Sequence, residues 1–278
     1  MEIYKCFKDI TDQEIEQLHN GESIEGFFPN QYVTTESGEL YKLKYRNDSL
    51  RLTRLVSEGI RDTVPAKGNI QQRMAYDMLM DRELDTKMMV GIAGGGKTFL
   101  AIRYALTRLK NPDDNIAKII FIRNPVPIGE GLGHLKGDYD AKTAPWIKPI
   151  TDNLDGGLDE FNKMKAFEQI EFEVPDYMQG RSIDNAIFVF EEAQMTTREL
   201  MQVVGTRVGA GSEIIINGDY KQAVVNKFKG KRNGLVWVIE LLKNDLTTGC
   251  VTFIKSERSK TAEKFANLDL DAVLDIER

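Results

Sequence analysis

An eight-residue stretch, GIAGGGKT at residues 91–98, restricts the fold more than any other part of the chain. It matches the phosphate-binding pattern GxxxxGK[ST], follows an apolar run and precedes the helix-like segment TFLAIRYALTRL. Glycines let the backbone turn its N–H groups toward phosphates, and the following helix adds the partial positive charge of its N-terminus. The stretch predicts a phosphate-binding loop (P-loop) rather than a glycine-rich turn with an incidental lysine. The residues predicted to bind nucleotide here are Gly91, Gly94, Gly95, Gly96, Lys97, Thr98 and Phe99.

Lys97 and Thr98 have separate predicted tasks within this loop. The lysine reaches the β- and γ-phosphates, and the threonine hydroxyl holds Mg²⁺. Kinases, transporters, GTPases and motors share such a loop, so the reaction has to be inferred from the rest of the chain.

Five apolar runs predict the core sheet. They cover residues 88–93, 118–123, 186–190, 213–217 and 251–254, and they lack the polar alternation of a half-exposed strand. Continuous apolar runs separated by helical stripes are typical of parallel strands covered on both faces. The pattern predicts an α/β fold with a doubly wound parallel sheet. Residues 126–180 are irregular, so this segment is either an inserted functional loop region or structure that the pattern does not reveal.

The first 67 residues have a different sequence pattern from the rest of the chain. Thr11 and Glu14 predict a capping box on a short helix, and residues 24–56 contain three strand-like runs separated by turns. Pro65 and Gly68 mark a plausible boundary. We therefore predict a small β-rich module over residues 1–67 and the nucleotide-binding domain over residues 68–278.

Composition narrows the class of protein. The net charge of −6 gives no overall attraction to nucleic acid, so such a partner would need a local basic groove. Two cysteines without CxxC spacing and two histidines argue against a disulfide framework, a zinc site and histidine-rich metal chemistry. We see no signal peptide and no apolar run of membrane-spanning length, so we expect a cytoplasmic protein.

Glu191 and Glu192 follow the fourth apolar run and are candidates for catalysis. A P-loop enzyme needs one carboxylate to hold Mg²⁺ and another to polarise the attacking water. Adjacent residues at a strand end point in different directions, so Glu191 is predicted at the metal and Glu192 at the water. The alternative is that both are acids at a helix start, since Thr196 and Glu199 form a second potential capping box.

The next strand also ends in polar residues. Asp219 and Gln222 follow the run 213–217, and a glutamine placed there can sense the γ-phosphate or its water. Taken alone this pattern is most often a simple turn. It gains weight because ligands of open α/β sheets bind at the carboxyl ends of the strands.

The ordered motifs resemble the PhoH family of P-loop ATPases. Besides the P-loop and the two later strand ends, the resemblance covers NIQQRMA at 69–75, the long segment 123–154 and FIKSERSK at 253–260. It implies a RecA-like P-loop NTPase core, Gln72 near the adenine, hydrolysis of ATP with Mg²⁺, a hexameric ring and RNA or single-stranded nucleic acid as substrate. It also implies that Arg207 or Arg258 acts on the ATP of a neighbouring subunit. From the residues alone, each arginine is more readily explained by a surface ion pair.

The chain looks most like the PhoH module of proteins that join it to a PIN nuclease, and we expect no PIN domain because 278 residues leave no room for one. Glu191 stands where the family usually has Asp. Two functions therefore stay open: an ATP-driven motor acting on nucleic acid, and a nucleotide-binding switch that hydrolyses slowly. A kinase is a third hypothesis, which Glu192 and Gln222 disfavour.

Two basic stretches are candidate contacts to nucleic acid. Residues 227–232 read KFKGKR, in which Phe228 could offer a stacking surface. Such a run is more often a solvated loop. The candidate residues of the two stretches are Lys142, Trp146, Lys148, Lys227, Lys229 and Lys231.

Overall fold

The structure is a computed structural model that describes residues 7–55, 69–124, 147–178, 180, 182–223, 225, 228–256 and 261. Arg258, Lys142, Trp146 and Lys227 lie outside these residues, as does the predicted boundary near residue 67.

A four-stranded sheet forms the N-terminal module, in the order β1-β2-β3-β4. Its elements are β1 (Phe7–Ile10), α1 (Asp12–His19), β2 (Tyr32–Thr35), β3 (Leu40–Arg46) and β4 (Ser49–Arg54). The predicted capping box is present, because the Glu14 backbone N–H donates to Thr11 Oγ1 at 3.3 Å and the Thr11 N–H donates to Glu14 Oε2 at 2.9 Å. The module has its own small core, to which Ile10, Leu18, Phe27, Val33 and Leu43 contribute.

A six-stranded sheet forms the second unit, in the order β10-β5-β9-β8-β6-β7, and every pairing in it is parallel. Apolar side chains cover both of its faces in two separate clusters. This is the α/β architecture with a parallel sheet that the sequence predicts, and the five apolar runs all contribute to strands. The elements are α2 (Ile70–Met80), β5 (Thr86–Gly91), α3 (Lys97–Lys110), β6 (Lys118–Arg123), α4 (Gly157–Ala166), β7 (Ile170–Glu173), β8 (Ala186–Glu191), α5 (Arg198–Gly205), β9 (Glu213–Gly218), α6 (Gly234–Leu242) and β10 (Thr248–Phe253).

Ionic contacts join the module to the second unit. Lys42 and Lys44, on β3, both pair with Asp81 just after α2, and Lys42 also lies 3.5 Å from Asp77. The Tyr32 hydroxyl donates to Asp77 at 2.7 Å in a buried contact. The four-stranded sheet therefore packs on the C-terminal end of α2.

Two local expectations need correction. The irregular segment contains regular structure, since α4, β7 and a helical turn at 147–151 lie within it. Thr197, not Thr196, caps α5 by accepting from the Leu200 N–H, because Thr196 instead donates its hydroxyl to the Ala193 carbonyl.

Within the described residues, no helix has the length and apolar character needed to cross a membrane.

Candidate functional site

The register of the sheet brings the motif residues to one edge. Gly91 pairs with Phe253, Val90 with Gly218, and Arg123 with Glu191, so five neighbouring strands end side by side. A cleft of about 200 Å³ opens at this edge. Its lining residues are Ala93, Gly94, Gly96, Lys97, Thr98, Phe99, Glu191, Glu192, Asn217, Gly218, Asp219 and Gln222.

The P-loop connects β5 to α3, as the sequence predicts. Gly96 adopts a left-handed conformation with φ of 94° and caps α3, whose first residue is Lys97. The N-terminus of this 14-residue helix points its free N–H groups into the cleft. Lys97 Nζ donates to the carbonyls of Gly91 and Ile92, each at 2.7 Å, so the ammonium group lies within the loop that would surround phosphates.

Close packing on Phe253 explains two of the loop glycines. A Cβ on Gly91 would lie 2.1 Å from the Phe253 carbonyl oxygen, and a Cβ on Gly95 would lie 2.6 Å from Phe253 Cδ1. Gly91 also has a φ of 112°, which side chains other than glycine rarely adopt. These two glycines hold the loop against β10, while Gly94 and Gly96 line the cleft itself.

Gln72 contacts the loop, and Phe99 follows it in α3. Gln72, near the start of α2, donates its side-chain amide to the Gly95 carbonyl at 3.1 Å. Phe99 is 44% exposed although it is a large apolar residue in a helix. Phe99 lines the cleft and Gln72 does not, and a contact of either residue with the nucleotide stays a prediction.

Two hydrogen bonds hold the Glu191 carboxylate. Thr98 Oγ1 donates to Oε2 at 2.9 Å, and Asn217 Nδ2 donates to Oε1 at 2.7 Å. Burial raises the pKa of the Glu191 carboxyl above its ordinary value, although both hydrogen bonds oppose that effect, and the neighbouring Glu192 raises the pKa further. A cation at this position would favour the ionised carboxylate.

Glu192 occupies a strained backbone position. Its φ of 53° and ψ of 39° are left-handed, a conformation that is uncommon for residues other than glycine and that turns the chain sharply after β8. Gln194 donates to its carboxylate at 2.6 Å and accepts from the Asp219 backbone N–H at 3.0 Å. The glutamine, which is fully buried, thereby ties the two strand ends together.

Asp219 and Gln222 follow β9 and line the cleft at the same edge of the sheet. The Asp219 carboxylate accepts from the Lys221 N–H at 3.1 Å and so caps a short 3₁₀ helix, Tyr220–Gln222. Gln222 lines the cleft across from the P-loop. Asp219 therefore shapes the turn that places Gln222.

The residues in the cleft suit Mg²⁺. This cation prefers oxygen ligands and retains several waters, and the hydroxyl of Thr98 and the carboxylate of Glu191 supply oxygens here. Asn217 Oδ1 adds another oxygen, which is buried and has no hydrogen-bond partner among the described residues. Within the described part of the chain, no group of three or more His, Cys, Asp or Glu side chains could hold a metal. A cation would therefore depend on Thr98 and Glu191 together with water and phosphate oxygens.

Residues 64–268 match the family described as PhoH-like protein. The chain belongs to this family. It is 32% identical over 295 residues to Protein PhoH2 of Bacillus subtilis (strain 168), which covers 96% of this chain and 64% of that protein. It is 40% identical over 156 residues to a PhoH-like protein of the same organism, covering 55% of this chain and 48% of that protein. The chain thus spans about half to two thirds of the length of these PhoH-like relatives.

Two solved helicase structures are similar to this chain at low sequence identity. The UvsW helicase from Bacteriophage T4 has a TM-score of 0.41 at 10% identity, covering 76% of this chain and 62% of that one. The Pyrococcus furiosus Hef helicase domain has a TM-score of 0.37 at 13% identity, covering 70% of this chain and 39% of that one. Membership of the PhoH-like family rests on the sequence match.

Arg207 lies away from the cleft of its own chain. The Ile183 N–H donates to its carbonyl at 2.8 Å, and Ile183 precedes β8, whereas Glu191 ends that strand. The arginine is thus at the opposite edge of the sheet. A role at the ATP of another PhoH-like subunit stays a prediction for Arg207, as it does for Arg258.

Three of the candidate basic residues, Lys148, Lys229 and Lys231, lie in the described part of the chain. Lys229 and Lys231 are exposed, and they belong to a loop that Asn233 fastens to the Gln194 carbonyl at 3.0 Å. Lys148 is exposed on the turn 147–151, whose Pro149 and Ile150 line a second cleft together with Glu191 and Glu192.

The stacking surface expected at Phe228 is wrong. Its ring is fully buried in a cluster with Met195, Ala223 and Val225, because these apolar neighbours remove it from water.

Two residues of the site were not singled out from the sequence. Gln194 is the fourth residue of the EEAQ run that ends β8, and Asn217 precedes the GD pair that ends β9. Both stand beside motifs that were identified. Their side-chain partners, however, come from neighbouring strands, which the sequence does not reveal.

Proposed function

We propose that this PhoH-like protein is a Mg²⁺-dependent ATPase that acts on RNA or single-stranded nucleic acid as a helicase-like motor in a hexameric ring. The supporting observation is that one cleft collects Lys97, Thr98, Glu191, Glu192 and Gln222. Each of these residues has a chemical task in cleaving the bond between the β- and γ-phosphates.

The tasks follow from charge and position. The ammonium of Lys97 and the N-terminus of α3 bind the phosphates of ATP. Thr98 and Glu191 hold Mg²⁺, which neutralises charge on the phosphate oxygens when it is bound. Glu192 polarises the attacking water, and Gln222 senses the γ-phosphate from the neighbouring strand end. In a ring, an arginine supplied by the next subunit would stabilise the negative charge that develops on the phosphate in the transition state. Such an arginine can raise the rate by a factor of roughly 10³ or more.

Nucleic acid as the polymer is supported by the placement of the basic residues. Lys229 and Lys231 belong to the loop fastened to Gln194, which binds the Glu192 carboxylate. A polymer that displaced this loop would alter Glu192 through two hydrogen bonds. This short connection is a physical route by which nucleic acid could change the rate of hydrolysis.

The test is an ATPase assay with RNA, single-stranded DNA and duplexes, run beside a mass measurement of the oligomer. We expect turnover that rises with a single-stranded polymer and is abolished in Lys97→Ala and Glu192→Gln. Turnover that survives both substitutions would overturn the ATPase proposal, stimulation by none of the polymers would remove the motor, and a monomer would remove the ring.

A slowly hydrolysing switch is the second candidate. The observation in its favour is that both oxygens of Glu191 are already hydrogen-bonded, to Thr98 and to Asn217. If Glu191 keeps Thr98 from the metal, ATP would bind tightly and turn over slowly. Tight binding of ATP with negligible turnover, even with polymer present, would favour the switch.

A further inference from the structure

We propose that Asn217 is a positioning residue of the metal site, whose amide nitrogen holds the Glu191 carboxylate and whose amide oxygen accepts a hydrogen bond from a water molecule bound to Mg²⁺. The inference rests on the proposed function, because it concerns the cation that accompanies ATP in the same cleft.

The sheet places Asn217 beside Glu191. Ile216 of β9 pairs with Phe190 of β8, so the next residue on each strand is Asn217 and Glu191 respectively. Asn217 is 1% exposed, and its Nδ2 donates to Glu191 Oε1 at 2.7 Å. Since Thr98 donates to the other oxygen, both oxygens of the carboxylate are held and its plane is fixed.

The same hydrogen bond sets the orientation of the amide. A carboxylate is an acceptor, so the NH₂ group of Asn217 must face Glu191 and the amide oxygen must face elsewhere. This oxygen is buried, and no described residue donates to it. A buried acceptor without a donor costs free energy, so a bound state that supplies a donor is favoured over the free state.

The chemistry of ATP and Mg²⁺, the proposed ligands of the cleft, limits which group can donate a hydrogen bond to Asn217 Oδ1. The phosphate oxygens of ATP accept hydrogen bonds at neutral pH, so they cannot satisfy another acceptor. Lys97 could donate, but its ammonium group bonds the carbonyls of Gly91 and Ile92 in the free protein and is assigned to the phosphates of ATP in the bound state. Water bound to a cation is a strong donor, and such water is expected beside Thr98 and Glu191.

The attacking water is the other possible donor. It belongs with Glu192, whose carboxylate is bonded by Gln194 at 2.6 Å. Asn217 is instead bonded to Glu191, the carboxylate next to Thr98. The hydrogen bonds therefore group Asn217 with the metal-binding residues.

The experiment measures the binding of a fluorescent, non-hydrolysable ATP analogue with Mg²⁺ and with EDTA, in the full chain. Asn217→Ala removes both amide groups, and Asn217→Leu removes them with little change in volume, in case the alanine variant does not fold. We expect the gain in affinity due to Mg²⁺ to fall about tenfold in both, the value of one hydrogen bond to a charged group. Affinity in EDTA should change less than about twofold.

Asn30 provides a matched control. It is also a buried asparagine, 2% exposed, but it donates to the carbonyls of Leu246 and Thr248, away from the cleft. Asn30→Ala should lower the unfolding midpoint and leave the gain due to Mg²⁺ unchanged.

Three results would overturn the inference. In the first, Mg²⁺ increases the affinity of both Asn217 variants for the analogue as much as it does for the natural chain. In the second, the variants lose affinity equally with Mg²⁺ and with EDTA. In the third, the variants lose turnover while the gain in affinity due to Mg²⁺ is unchanged. The last result would assign the oxygen to the attacking water. If the natural chain itself shows no Mg²⁺-dependent binding of the analogue, the proposed function fails, which is a separate outcome.

Discussion

Asp81 is expected to stabilise the junction between the N-terminal module and α2, and the substitution Asp81→Asn tests this. Burial raises the pKa of this carboxyl, but the ion pairs with Lys42 and Lys44 outweigh burial and bring the pKa to about 2, from an ordinary 3.8. The difference corresponds to about 2 kcal/mol of folding free energy at neutral pH. Asparagine keeps the acceptor for the Glu83 N–H, so the loss is mainly that of the charge.

The pH dependence follows from the sign of this shift. The pKa of Asp81 is lower in the folded state than in the unfolded state, so its contribution is fully present above the unfolded value of 3.8 and is lost as the pH falls toward 2. Near pH 3, about half of the contribution should remain. The difference in stability between the natural chain and Asp81→Asn should therefore shrink in the same proportion.

Urea unfolding followed by circular dichroism, at about pH 7 and about pH 3, measures these differences. Glu240→Gln is the matched control, because Glu240 forms an ion pair with Lys243 at 3.0 Å on a helix surface, where both side chains are about one third exposed. Such a pair contributes about 0.5 kcal/mol or less. If Asp81→Asn costs no more than this control, or if its cost is the same at both pH values, the reasoning is refuted.

Two further substitutions test the cleft itself. Gly95→Ala should weaken ATP binding at least about tenfold by calorimetry, since the new Cβ would lie 2.6 Å from Phe253 Cδ1 and would shift the loop. Gly205→Ala, where no atom lies within 4 Å of the new Cβ, should leave binding unchanged, and equal effects would contradict the packing argument. Gln194→Ala should lower ATP turnover about 10- to 100-fold with little change in binding of an ATP analogue, because Glu192 loses the partner that holds it at 2.6 Å. Unchanged turnover would show that Glu192 needs no such support.

Local motifs made the centre of the site predictable. The P-loop carries its own geometry in its glycines, and continuous apolar runs identify buried parallel strands wherever they occur. Because parallel strands of one sheet end at the same edge, the positions of Glu191, Glu192 and Gln222 followed from the runs that precede them. The capping box of α1 was predictable for the same reason, since its hydrogen bonds join residues three apart.

Other features depend on contacts between distant parts of the chain. β1 and β7 have four residues each, too few for a clear period, and each is held by one neighbouring strand. The bond from Asn217 to Glu191 depends on the register of β8 and β9. Phe228 was misinterpreted because the charges around it in sequence do not reveal the apolar residues around it in space.

The contacts of the N-terminal module bear on the nucleotide cleft through two elements. The module binds the C-terminal end of α2 through Asp77 and Asp81, and the beginning of β10 through the bonds from Asn30. The opposite ends of the same elements hold the P-loop, since Gln72 of α2 donates to Gly95 and Phe253 of β10 packs against Gly91 and Gly95. Rigid elements held at one end restrict the loop at the other. The module is therefore expected to contribute to ATP affinity without contacting ATP, and loss of its ionic contacts should weaken binding before it alters the chemistry at Glu192.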